Sequence, residues 1–150
     1  CCMRETGDQR ELGRSVFPVL RSLQTRWSDD DAYGHMNNVV HYSLFDTAVN
    51  GWLMSASGVD IRTLPAIGLV VETSCRYFSP LHFPEPVTAG IALENLGTSS
   101  VVYQLALFGA DESPAAAGRF VHVYVSREER RPVPVPPEIR KALETLAALV

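Results

Sequence analysis

The sequence predicts an α+β domain, one long helix followed by a run of strands, and three observations carry that prediction. Between Asn38 and Met54, the residues Tyr42, Phe45, Val49, Trp52 and Leu53 recur at helical spacing, with Ser43, Asp46, Thr47 and Asn50 opposite them. After Pro65 the chain becomes a series of β-branched or alternating stretches separated by turn residues. Several of these stretches are apolar at both odd and even positions, so both faces of the sheet need cover.

In order, residues 1–17 are mostly polar and charged, with Gly7 and Gly13 and no clean period. They are expected to form a flexible arm ahead of a single domain over 18–150. The opening Cys1-Cys2-Met3 carries no weight in this reading. Val19 to Trp27 alternates imperfectly and is read as the first strand. The helix follows a polar loop, with Asn37 or Asn38 as its N-cap, because a short amide accepts the orphan N–H groups of a first turn. Gly58 suits the helix exit.

The later strands are expected at Ile67–Tyr77, Val87–Glu94, Val101–Phe108 and Ala115–Val125. Turns at Ser79-Pro80, Asn95-Leu96-Gly97 and Asp111-Glu112-Ser113-Pro114 separate them. Arg130–Pro137 is too rich in proline to continue a ladder. From Glu138 to Val150 the residues Ile139, Leu143, Leu146, Ala147 and Val150 mark a short C-terminal helix. One long helix covers one sheet face. A second subunit is the economical cover for the other, and a two-fold homo-oligomer is the commonest case.

A length of 150 residues is enough for one domain with its own core. The formal charge of -4 and the lack of a basic stripe argue against a nucleic-acid partner. There is no apolar run of about 18 residues, so no membrane span is expected. The N-terminus lacks the apolar core of a secretory signal. An odd count of three cysteines does not suggest a disulfide framework. Together these make the cytoplasm the expected location.

The densest polar stretch is Arg26 to Tyr42, which sets Asp29, Asp30, Asp31, Gly34, His35, Asn37 and Asn38 immediately before the long helix. By itself it reads either as a solvated turn ahead of a cap or as a site. Asp29, Asp31 and Gly34 match positions 1, 3 and 6 of a calcium loop, but Tyr33 stands at position 5 and Val40 where a bidentate Glu belongs. His35 and His41 have no second His or Cys cluster to complete a zinc site. Neither a G-x-S-x-G elbow nor a phosphate-binding glycine motif is present. A carboxylate beside a helix N-terminus can supply a nucleophile or base next to backbone N–H donors, which is the chemistry a site here would offer.

The pattern Asp29-x-Asp31-x-x-Gly34-His35-x-Asn37-Asn38-x-x-x-Tyr42 resembles the signature of the 4-hydroxybenzoyl-CoA thioesterase branch of hotdog-fold acyl-CoA thioesterases. Arg76-Tyr77-Phe78-Ser79-Pro80-Leu81, Leu96-Gly97-Thr98-Ser99-Ser100-Val101 and Arg131-Pro132-Val133-Pro134-Val135-Pro136 are similar to the same branch. The resemblance covers roughly residues 18–148. It implies a single hotdog domain, an antiparallel β-sheet wrapped around a long central helix, with a short C-terminal helix.

It further implies an acyl-CoA thioesterase in which Asp31 is nucleophile or general base. Backbone N–H groups around Asn37 and Asn38 would polarise the carbonyl, with Gly34 and His35 shaping the catalytic loop. Tyr42, Arg76, Phe78, Ser99 and Ser100 are the substrate-binding candidates. No cofactor is implied, since CoA is part of the substrate, and acyl carrier protein is an alternative carrier. The implied assembly is a homodimer or homotetramer with sites at the subunit interface. The competing readings are a hotdog module that binds an acyl thioester without turnover, and a hydratase or dehydratase on the same fold.

Overall fold

The computed structural model describes residues 8–148. Five strands form one antiparallel sheet in the order β1-β3-β4-β5-β2: β1 Val19–Leu23, β2 Ala66–Tyr77, β3 Val87–Leu96, β4 Ser100–Phe108 and β5 Ala116–Ser126. The helix α1, Asn38–Ser57, lies on one face over β1, β3 and β4. A second helix, α2, Pro137–Ala148, packs beside α1 and against β3. This is the expected architecture, a sheet curved round one long helix with a short C-terminal helix.

The apolar stripe of α1 is buried as its spacing requires. Leu44, Phe45, Ala48, Val49, Trp52 and Leu53 meet Ala89, Ile91, Tyr103, Leu105, Leu107 and Phe120 from the sheet. Gly118 permits the closest approach, because a Cβ there would stand 2.7 Å from the Phe45 ring. The helix runs three residues past the expected Met54. It ends where Gly58 takes the left-handed conformation (φ 72°) and returns its N–H to Met54 O.

β1 is shorter than its alternation suggests. It stops at Leu23, and Trp27–Asp29 turn into a 3-10 segment. The cause is Asp29, whose carboxylate accepts the Arg26 N–H (2.8 Å) and pairs with the Arg26 guanidinium (2.8 Å). These bonds replace ladder bonds with a local cap.

Of the expected N-terminal arm, residues 1–7, with Cys1 and Cys2, lie outside the described residues. Residues 8–17 form two 3-10 turns. Phe17 lies on the sheet face away from α1 with Ala92, Ala106 and Phe108, its ring edge-on to Phe108 at 5.9 Å. A Cβ on Gly90 would stand 2.6 Å from the Phe17 ring, so the glycine makes the seat. Part of the second sheet face expected to need a subunit is thus covered by the chain's own start. The last two residues of the expected C-terminal helix, Leu149 and Val150, also lie outside the described residues.

β2 has little cover. It is a twelve-residue edge strand with Val70 (47%), Val71 (57%) and Tyr77 (45%) exposed. A register shift between Val70 and Glu72 interrupts its pairing with β5. Among the described residues, no helix is long and apolar enough to cross a membrane.

Candidate active site

The loop between β1 and α1 is held from three sides. Asp29 is buried, and its carbonyl accepts the Asn37 N–H (2.9 Å). Both oxygens of Asp30 accept the Phe83 N–H at 3.2 Å, so this carboxylate turns toward the Leu81–Phe83 segment and not to solvent. Met36 is buried and donates its N–H to Leu81 O (2.8 Å). His82 donates Nδ1–H to Gly34 O (2.8 Å), and its ring meets the His35 ring edge-on at 5.3 Å.

Asp31 closes the loop on itself. Its Oδ1 accepts the Tyr33 N–H (2.8 Å) and the His35 N–H (3.2 Å), while its own N–H goes to His35 O (2.7 Å). Its Oδ2 takes no hydrogen bond from the described residues. Gly34 makes the reversal possible at φ 75°, a conformation that costs an L side chain about 1–2 kcal/mol.

The N-terminus of α1 adjoins the same loop. Asn37 is the N-cap, with its side chain accepting the Val39 N–H (3.1 Å). The Val40 N–H goes to Asn37 O (2.9 Å). The Asn38 N–H is left without a partner among the described residues, at the positive end of a twenty-residue helix.

A cleft of about 480 Å³ joins these groups. Asp31, His35, Met36, Asn37 and Asn38 line one side, and His41 and the Tyr77–Pro80 segment the other. Asp31 and the first residue of α1, Asn38, thus line one opening. Among the described residues, no group of three or more His, Cys, Asp or Glu side chains is placed to hold a metal ion.

Of the residues named from sequence, Asp31, His35, Asn37, Asn38 and Phe78 line the cleft, and Gly34 lies in its loop. Tyr42 does not line it. It sits on the neighbouring helix face and stacks on Phe120 at 6.3 Å. Arg76 points to the other side of the sheet: its neighbour Cys75 pairs with Gly118, which faces Phe45 of α1, and side chains alternate along a strand.

Ser99 and Ser100 are placed at the far end of the sheet within one protomer. Ser100 pairs with Val123 of β5, whereas Tyr77 at the cleft pairs with Ala116. Those seven positions amount to about 23 Å of strand. Met36, His41, Tyr77, Ser79 and Pro80 also line the cleft and are not site candidates on sequence grounds. Tyr77 lies inside the Arg76–Leu81 motif, and His41 lies inside the opening stretch, where its spacing from His35 suggests only a metal ligand.

His41 is buried and its Nδ1 stands 3.3 Å from Asn37 O. Burial pushes its pKa below the ordinary value, although the Asn37 and Asn38 carbonyls oppose this. The Tyr77 hydroxyl donates to Asn38 O (3.1 Å), and burial, with Cys75 and Tyr42 nearby, pushes its pKa up to about 12.

Known proteins share this fold. The thioesterase-like superfamily matches residues 25–143. The structure of the PA5185 protein from Pseudomonas aeruginosa strain PAO1 is 48% identical, with a TM-score of 0.86 over 89% of this chain and 94% of that one. A thioesterase from Thermus thermophilus, complexed with coenzyme A and zinc, is 27% identical, with a TM-score of 0.73 over 88% of this chain and 96% of its own. The Bacillus subtilis (strain 168) protein YsmA is 22% identical over 80% of this chain and 81% of its own. With the fold and the family match in agreement, the chain belongs to the thioesterase-like superfamily, as a hotdog-fold thioester hydrolase.

Proposed function

We propose that the chain hydrolyses acyl-CoA thioesters to a free acid and CoA, with Asp31 as nucleophile or general base. The observation that carries this reading is the shared cleft: Asp31, with one carboxylate oxygen unpartnered among the described residues, and Asn38, with its N–H likewise unpartnered, line the same space. In the base route, Asp31 takes a proton from water as its oxygen bonds to the thioester carbon, and the oxyanion forms against Asn38 N–H. The C–S bond then breaks, and the CoA sulfur leaves with a proton. In the nucleophile route, the Asp31 oxygen bonds to the thioester carbon, the C–S bond breaks and CoA leaves as thiolate. Water then cleaves the resulting anhydride to the free acid and the Asp31 carboxylate, and the released proton goes to the thiolate or solvent. Gly34 and His35 hold the loop, Asn37 caps the helix, and Phe78 lines the acyl side.

Neither route needs a metal or other cofactor. The Thermus thioesterase that binds coenzyme A supports CoA as the carrier, and acyl carrier protein is the alternative. The exposed β2 edge, beside Tyr77 and the cleft, supports a homodimer or homotetramer with sites at the subunit interface. Ser99 and Ser100 then belong to substrate binding only where a second copy brings its own sheet end to the cleft, while Tyr42 and Arg76 would contribute from outside the cleft lining. The chain is read as cytoplasmic, in keeping with the free thiol of Cys75. The test is free-thiol release from a panel of acyl-CoAs; binding of thioesters with no turnover would favour a non-catalytic module.

A further inference from the structure

We propose that His41 is a positioning residue for the reaction: its ring N–H orients and polarises the Asn38 amide through the carbonyl of Asn37, and Tyr77 holds the pair in place. The inference rests on the thioesterase reading above, which gives the Asn38 N–H its task.

The geometry begins with one peptide group. Asn37 C=O and Asn38 N–H belong to the same rigid plane, so whatever fixes the oxygen fixes the direction of the N–H. That oxygen receives the Val40 N–H at 2.9 Å and lies 3.3 Å from His41 Nδ1. A carbonyl only accepts, so Nδ1 carries the proton in this contact. Hydrogen bonds accepted by an amide oxygen strengthen its N–H as a donor. The Asn38 N–H is the group that this arrangement sharpens, and it is the first-turn donor left without a partner. The adjoining amides are committed: Asn37 N–H to Asp29 O and Val39 N–H to the Asn37 side chain.

Tyr77 completes the brace from the edge strand. Its hydroxyl donates to Asn38 O at 3.1 Å, which fixes the next peptide plane. Its ring meets the His41 ring edge-on at 4.8 Å, which limits rotation of the imidazole. His41 itself is only 4% exposed, so little of its side chain meets water. A histidine serving only as packing would need neither the bond to Asn37 O nor a hydroxyl anchored one peptide further on.

The experiment compares wild type, His41→Leu, His41→Asn and Tyr77→Phe. The amide of Asn places a donor near the Nδ1 position, and Phe removes only the hydroxyl. Thiol release from the best acyl-CoA gives kcat and KM, and the Asn38 backbone amide resonance is followed by NMR without substrate. Full loss of an oxyanion donor costs about 100- to 1,000-fold, so weakening one donor predicts a fall in kcat of about 10-fold for His41→Leu with KM within about twofold. The same scale predicts recovery to within about threefold in His41→Asn and a fall of a few-fold in Tyr77→Phe. The Asn38 amide proton should move upfield in His41→Leu and return in His41→Asn.

Wild-type kcat in a folded His41→Leu, or equal impairment in His41→Asn and His41→Leu, overturns the proposal. If His41→Leu does not fold, Tyr77→Phe decides by the same kcat criterion. If wild type turns over no thioester, the functional reading fails. The Asn38 resonance then decides the brace alone, and an unmoved resonance overturns it.

Discussion

Asp31 Oδ1 accepts the backbone N–H of His35 at 3.2 Å, so the carboxylate builds the loop that presents it. One oxygen is committed to Tyr33 and His35 and the other accepts no hydrogen bond from the described residues. The turn that permits this passes through Gly34 at φ 75°, where an added Cβ would meet nothing within 4 Å. Backbone conformation, not space, therefore sets the cost of substitution. Gly34→Val should lose most turnover and about 1–2 kcal/mol of stability, whereas Gly34→Asn, which tolerates the left-handed region, should stay near wild type. Steady-state kinetics and denaturant titration of the two variants check this.

His41 and His122 are both buried, and burial holds both pKa values below the ordinary 6.5. In the window from 6.5 down to each depressed value, the unfolded chain binds protons that the folded chain refuses. Stability is therefore full above about pH 6.5 and falls as the pH drops. His122 Nε2 also lacks a hydrogen-bond partner among the described residues, beside the Tyr103 ring at 5.3 Å. His122→Phe removes that unsatisfied atom. It should leave stability at about pH 7 unchanged or raise it by up to about 1 kcal/mol. Melting curves across the acid range should show a shallower decline than in wild type.

Phe17 occupies the space that a side chain at residue 90 would need, with a virtual Cβ 2.6 Å from its ring. Gly90→Ala should unseat the N-terminal segment and cost about 1–3 kcal/mol. Limited proteolysis should then cut near residues 12–16 faster than in wild type, with thermal denaturation giving the energy.

Val71 lies at the β2 register shift and is 57% exposed, with Val70 beside it at 47%. An uncovered apolar edge strand of this length invites pairing. Light scattering at micromolar concentration should report a dimer or tetramer, and Val71→Glu should shift the distribution toward monomer. A well-folded wild-type monomer would contradict assembly through this edge.

The elements with a clear period were legible in the sequence. α1, β2, β4, β5 and α2 fall within a few residues of expectation, because Phe45, Val49 and Trp52, or Val101, Tyr103 and Leu105, declare a face directly. The end of β1 was not, because the Asp29–Arg26 cap competes with the ladder and leaves no mark on the alternation. Phe17 was missed for the opposite reason: one aromatic in a polar stretch has no period, and its seat is a glycine on a strand far along the chain. The loop at Asp31 was legible because its parts are contiguous. The places of Tyr77 and His41 in the cleft were not, because they depend on β2 passing beside the first turn of α1, a tertiary fact. Ser99 and Ser100 illustrate the same limit, since motifs that go together in a sequence need not reach the same end of the sheet.

The most direct measurement of the central claim is free-thiol release from acyl-CoAs by wild type and Asp31→Asn. Loss of the acid or base should lower kcat by at least about 100-fold. Substrate binding and the melting temperature should be largely kept, since Asn retains an oxygen able to accept the Tyr33 and His35 N–H groups. Equal rates in the two proteins would contradict the assignment of Asp31.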